Sequence, residues 1–179
     1  MHGLVSLLSQ PYYQKVQQIW DELESECGLK GIRVTPYPHF SWQIATDYDM
    51  RELEQAMQTI AANATPFTVL TTGLGIFTGR KPVIFVPLVK STQLMNFHEL
   101  VWESVKLLGQ EISPFYHPSS WMPHISLAYE DVDESNISSV INKLVYETYN
   151  WEITVDNISL IYEPEGEIGK LRYNFRFMN

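Results

Sequence analysis

Cysteine is nearly absent. Cys27 is the only one in 179 residues, which excludes an intramolecular disulfide framework and fits a reducing compartment. No stretch approaches the roughly 20 consecutive apolar residues needed to span a bilayer. The opening MHGLVSLLSQPYYQ has neither a basic leader nor a small-residue cleavage site, so it reads as a first strand, and the protein is expected in the cytoplasm. Basic residues are few, 12 against 21 acidic, and the formal net charge is −9. Proteins that hold long nucleic acids neutralise phosphates with basic surface, so this balance argues against broad capture of RNA or DNA. It leaves open a small anionic ligand in one local pocket, or a nucleic-acid end reached by one cleft. With 45% hydrophobic and 18% charged residues, the chain is globular and not disordered. No linker-like or low-complexity stretch divides it, so residues 1–179 are expected to form one domain with a real core, and by default an acidic monomer.

Four segments have helical periodicity. In the first, Tyr13, Val16, Ile19 or Trp20, Leu23 and Cys27 line one face, with Pro11 suited to the first turn and Gly28 to the stop. The second has Met50, Leu53, Met57 and Ile60, opened by Asp49 with Glu52 three residues on, a capping-box pattern. The third has Phe97, Leu100, Val101, Val105 and Leu108, capped by Ser91 or Thr92 and followed by Gly109. The fourth has Ile137, Val140, Ile141, Leu144 and Val145 after an acidic, polar start. Strand character is found at about 3–8, 39–46, 67–76, 83–89, 124–129, 151–162 and 171–177, segments rich in β-branched and aromatic residues. Gly79-Arg80-Lys81-Pro82 and Glu163-Pro164-Glu165-Gly166 read as the turns of two long hairpins.

This order contains a repeat. A strand bearing Pro-His-x-Ser, then a helix, then a hairpin, occurs at 38–89 and again at 123–177. Two copies suggest internal duplication with pseudo-two-fold symmetry. The fold class expected is α+β: a bilobal pair of mainly antiparallel sheets with helices outside and a central cleft. The matching strings are Pro38-His39-Phe40-Ser41 and Pro123-His124-Ile125-Ser126. Side chains two apart on a strand share a face, so His39 points with Ser41 and His124 with Ser126, while Phe40, Trp42, Ile125 and Leu127 turn to the other side.

Phosphodiester cleavage wants this arrangement. One group must take a proton from attacking water and another must protonate the departing oxygen. An imidazole titrates near 6.5 and can do either near neutral pH. Two hydroxyls can donate to non-bridging phosphate oxygens as charge builds in the transition state. A single Pro-His-x-Ser string would be only a strand start with a satisfied histidine; two, equivalently placed, are harder to dismiss. A metal site fits poorly, because each His-x-Ser strand offers one good ligand and no cluster has ligand spacing. No Gly-x-Ser-x-Gly elbow marks a serine hydrolase.

Other residues carry weaker signals. Tyr116 and Trp121 flank the second motif and are candidates for stacking on a nucleobase, with packing at a loop base as the equal alternative. His117 reads as a turn residue, His98 as a partly exposed structural residue within the third helix, and His2 as part of a disordered terminus. Arg80 and Lys81 fall at a hairpin tip. Arg172 and Arg176 alternate with Tyr173, Phe175 and Phe177, which leaves one of them free to face the cleft.

His39-x-Ser41 and His124-x-Ser126, with the surrounding Tyr37-Pro38-His39-Phe40-Ser41-Trp42 and Trp121-Met122-Pro123-His124-Ile125-Ser126-Leu127-Ala128, resemble the two signature motifs of the 2H phosphoesterase superfamily. That group includes the proteins called 2'-5' RNA ligases or RNA 2',3'-cyclic phosphodiesterases. The resemblance covers nearly the whole chain and is the more specific at the second motif. It implies the bilobal α+β fold with a central cleft and no cofactor. It makes His39 and His124 the catalytic histidines, Ser41 and Ser126 the phosphate-holding hydroxyls, His124 the general base on water, and His39 the general acid to the leaving 3' oxygen. The symmetry of the site leaves exchange of those roles open. The expected activity is metal-independent hydrolysis of a 2',3'-cyclic phosphate, or a related 2'-linked phosphodiester, of a small nucleotide or RNA end. The alternative is a module that binds nucleotides or RNA ends in the same cleft without turnover.

Overall fold

The structure is a computed structural model, and it describes residues 1–178. The chain runs β1 (His2–Leu7), α1 (Tyr12–Cys27), β2 (His39–Ala45), β3 (Asp47–Tyr48), α2 (Met50–Asn63), β4 (Phe67–Leu70), β5 (Gly75–Phe77), β6 (Val83–Pro87), α3 (Thr92–Val105), β7 (Gly109–Gln110), β8 (His124–Ala128), α4 (Ile137–Leu144), β9 (Glu152–Val155), β10 (Asn157–Tyr162) and β11 (Lys170–Arg176). Single 3-10 turns lie at Gly31–Val34 and Pro114–Tyr116. Among the described residues, no helix is long and apolar enough to cross a membrane.

Local chemistry sets the helix ends. Gly28 takes the left-handed conformation (φ 74°) and its N–H donates to the Glu24 carbonyl, while the Leu29 N–H reaches back to Leu23, closing α1 with paired bonds at its last carbonyls. The Asp49 carboxylate accepts from the N–H groups of Arg51 and Glu52 at the start of α2. Ser91 caps α3 by accepting from the Leu94 N–H at 3.2 Å.

Two antiparallel sheets form the lobes. One has the order β11-β10-β1-β2 and the other β5-β6-β8. The lobes exchange parts. Each sheet is built on a strand–helix–strand unit, β1-α1-β2 or β6-α3-β8; β10 and β11, from after the second unit, complete the first sheet, and β5, from after the first unit, completes the second. The helices cross over as well: α1 lies against β8, while α3 lies against β2 beside α2, which covers β10 and β11. Seen in this pairing, the repeat begins one strand and one helix before each Pro-His-x-Ser motif.

The expected strands at 67–76 and 151–162 are each broken in two, at 71–74 and at Asp156. The first part of each, β4 and β9, pairs antiparallel with the other, and the second part joins a lobe sheet. Their alternate residues Phe67, Val69, Ile153 and Val155 are buried in one continuous core. A straight strand cannot serve both the seam and a lobe, so each one bends. Both expected hairpins form, β5–β6 and β10–β11.

Two expectations about burial are corrected. The buried stripe of α3 is Leu94, His98, Val101 and Val105, with Leu100 half exposed. The stripe read from apolar letters alone was rotated, because a histidine occupies one of its inward positions. His2 is not disordered: it is buried in β1, stacked on Tyr162, and its Nδ1 accepts from the Glu163 N–H at 3.0 Å.

Candidate active site

β2 and β8, the strands that open at His39 and His124, approach each other with Cα atoms within 8 Å. The pleat does the rest. Phe40, Trp42, Ile125 and Leu127 are fully buried in the core, whereas His39, Ser41, His124 and Ser126 all keep partial exposure on the opposite faces. Register places Leu7 and Val5 opposite His39 and Ser41, and Pro87 and Phe85 opposite His124 and Ser126. Opposed residues share a face. Val5, Phe85 and Ile161 lie on these faces and are buried apart from the main core, which gives the cleft an apolar floor.

The two imidazoles are held alike. The Nδ1 of His39 lies 2.5 Å from the Tyr37 carbonyl, and the Nδ1 of His124 lies 2.7 Å from the Met122 carbonyl. A carbonyl only accepts, so each Nδ1 carries the proton, and each Nε2 is left as the basic nitrogen. Burial pushes His39 down from its ordinary value near 6.5 to about 4; the Tyr37 carbonyl opposes this, and nearby His124 adds to it. His124 is also lowered by burial, against the pull of the Met122 carbonyl. At neutral pH both rings are therefore uncharged. This differs from the expectation of an unshifted pair, and desolvation is the reason.

His124 sits in an aromatic cradle that the sequence did not suggest. Its ring meets Phe77 edge-on at 4.9 Å and Phe85 at 5.1 Å, and those two rings stack at 4.1 Å. Phe77 is half exposed, whereas Phe85 is buried. Gly75 makes the cradle possible, since a Cβ there would stand 2.4 Å from the Phe85 ring. The hairpin register explains the contact: Phe85 stands opposite Gly75 and Phe77 opposite Val83, so the two rings are diagonal neighbours on one face, a relation fixed only once the turn is known.

Of the flanking aromatics, Tyr116 reaches the site: burial raises the pKa of its phenol, and the neighbouring Ser41 side chain opposes that rise. Trp121 does not reach it as a stacking surface. It is 1% exposed, stacked 3.7 Å from His98 and 5.5 Å from Trp42, and its Nε1–H donates to the Ser41 carbonyl at 3.0 Å. A ring this fully buried has no face open to a base. His98, expected to be partly exposed, is fully buried in this stack and bonds the Trp42 carbonyl at 3.0 Å.

The remaining polar candidates lie elsewhere. His117 is exposed and bonded to Ser119, Lys81 pairs with Glu130, and Arg176 pairs with Asp156. Arg172 lies over the rings of Tyr162 and Tyr173. Arg80 is exposed at the β5–β6 turn. Among the described residues, no three His, Cys, Asp or Glu side chains are grouped to hold a metal.

Known proteins share the fold of this chain. Two bacterial proteins that carry the name phosphoesterase are similar in sequence. One, from Bacillus cytotoxicus, is 23% identical over 141 residues, covering 77% of each chain. The other, from Oceanobacillus iheyensis, is 24% identical over 133 residues, covering 73% of this chain and 74% of its own. Among solved structures, TT0787 of Thermus thermophilus superposes with a TM-score of 0.72 at 19% identity, over 98% of this chain and 97% of that one. E. coli LigT complexed with 3'-AMP superposes with a TM-score of 0.63 at 13% identity, over 99% and 98%. These likenesses show a shared fold. The sequence profile of one family matches residues 11–167, most of the chain and both His-x-Ser strands, and the protein therefore belongs to the 2'-5' RNA ligase superfamily, the 2H phosphoesterases.

Proposed function

We propose that this phosphoesterase opens a 2',3'-cyclic phosphate, on a small nucleotide or an RNA end, by metal-independent acid–base catalysis between His39 and His124. One observation carries the reading: two equivalent imidazoles on neighbouring strands, each with Nδ1–H bound to a carbonyl two residues back and a serine two residues on. The Nε2 of His124 takes a proton from water as its oxygen bonds to phosphorus. The bond from phosphorus to the 3' oxygen breaks, and the imidazolium of His39 protonates that oxygen, leaving a 2'-phosphate. Ser41 and Ser126 donate to the non-bridging oxygens. Tyr116, which lies beside Ser41, helps to orient that hydroxyl.

Two further observations favour a small substrate. The chain is acidic, with a net charge of −9, and the cleft floor is apolar. LigT, which shares the fold, has been crystallised with 3'-AMP, NADP+ and ATP. Phe77, half exposed beside His124, is the position suited to a nucleobase, in place of Trp121.

The test is turnover by the pure protein in EDTA of a panel of 2',3'-cyclic nucleotides, 2'-5' linked dinucleotides and RNA with a cyclic end, with the product phosphate placed by phosphorus NMR. His39→Ala and His124→Ala should each lower kcat by about 100- to 10,000-fold, the usual worth of a general acid or base. Binding of the panel without turnover, or normal rates in either variant, sinks the reading.

A further inference from the structure

Each His-x-Ser strand is irregular at the same place. Along β2, Leu4 faces Gln43 and Val5 faces Ser41, so Trp42 is an extra residue. Along β8, Ile84 faces Ala128 and Phe85 faces Ser126, so Leu127 is extra. Both bulges thus follow the motif serine directly. A bulge bends its strand and re-aims the neighbouring side chains, so these two set the pitch of both His/Ser pairs.

A bulge also disturbs the ladder, and at both places a buried tryptophan supplies a donor. The Trp121 indole N–H donates to the Ser41 carbonyl at 3.0 Å, and the Trp20 indole N–H donates to the Ser126 carbonyl at 3.2 Å. Both indoles are at most 2% exposed. His98 adds a bond to the next carbonyl of β2, that of Trp42, and stacks on Trp121.

The two ties cross between lobes. Trp121 lies just before β8 yet holds β2. Trp20 lies on α1, which leaves the β1–β2 sheet, yet holds β8. From this we infer that Trp20 and Trp121 are positioning residues: their indole N–H groups lock the bulged backbone behind each motif serine and fix how the two histidines are aimed at one phosphate. The inference rests on the two-histidine reading for its kinetic consequence but not for its structural one.

The experiment removes the N–H and keeps the ring. Trp20→Phe and Trp121→Phe are prepared, together with replacement of each indole by 3-benzothienylalanine, which has the same shape and no N–H donor. Imidazole resonances of the full-length protein are then followed by NMR through a pH titration. Losing the Trp121 donor should move the His39 resonances and their titration while leaving His124 in place, and losing the Trp20 donor should do the reverse. A residue that only filled space would not give this crossed pattern in the benzothienyl variants, whose packing is preserved.

On a cyclic nucleotide, each variant should lose roughly 3- to 30-fold in kcat with KM within about two-fold, since a lost hydrogen bond and a slight misaim act on the chemical step. Folded benzothienyl variants with unmoved histidines, or with both histidines moved equally, overturn the inference. Should the wild type bind but not turn over the nucleotide, the NMR pattern still decides the positioning claim, while the proposed activity falls.

Discussion

The free protein has both cleft imidazoles neutral at pH 7, so lowering the pH should speed its productive encounter with substrate. His39 is pushed to about 4 and His124 below its ordinary 6.5, both by burial. Catalysis needs one proton shared between them, and the protonation constants belong to the pair. With both constants below 6.5, fewer than about a quarter of free molecules hold that proton at pH 7. The kcat/KM profile reports the free enzyme, so it should be bell-shaped with its maximum below pH 6.5. A bound phosphodiester changes the balance. A monoanion about 4 Å from an imidazolium, at an effective dielectric near 20, attracts it by about 4 kcal/mol, equivalent to at most about 3 pH units. The alkaline limb of kcat should therefore lie about 1 to 3 pH units above that of kcat/KM. Steady-state rates on a 2',3'-cyclic nucleotide from pH 4 to pH 9, in EDTA at constant ionic strength, measure both limbs. A kcat/KM maximum above pH 7, or two limbs that superimpose, would refute the claim that burial sets the protonation of the pair.

Stability should also depend on acid. His98 is buried with its pKa lowered to about 4, so the folded state binds its proton less readily than the unfolded chain. Its contribution is fully present above pH 6.5 and is lost as the pH falls toward 4, by about 3 kcal/mol in all. Urea unfolding at pH 7.5 and 4.5 should show a smaller difference in His98→Gln than in the wild type; an unchanged difference refutes the assignment. Gly75→Ala places a Cβ 2.4 Å from the Phe85 ring, which overpacking should make about 1–3 kcal/mol destabilising. Because Phe85 leans on His124, the same change should shift the His124 titration, and a variant of wild-type stability with unchanged His124 would count against the cradle.

Much of this was legible because short-range rules govern it. Period 3.6 and the caps Asp49, Ser91 and Gly28 marked the helices, and period 2 put His39 with Ser41 and His124 with Ser126 before any coordinates. The duplication announced two lobes because both copies kept the motif at the same place in the unit. The α3 stripe was misread because periodicity counts apolar letters, and His98 is an inward residue made tolerable by one carbonyl and two indole rings from distant segments.

Tertiary structure alone decided the rest. Whether a strand continues or breaks depends on its partners, and the β4–β9 seam bends two strands that look continuous in sequence. The exchange of helices and outer strands between lobes leaves no mark on local pattern. Trp121 reads as a stacking surface from its neighbours in the chain, but it is buried against Trp42 of β2 and His98 of α3. The low basicity of the histidines likewise follows from how much protein surrounds them. Sequence determined which groups share a face; the fold determined what each group touches, because burial and hydrogen-bond partners are supplied by residues far away along the chain.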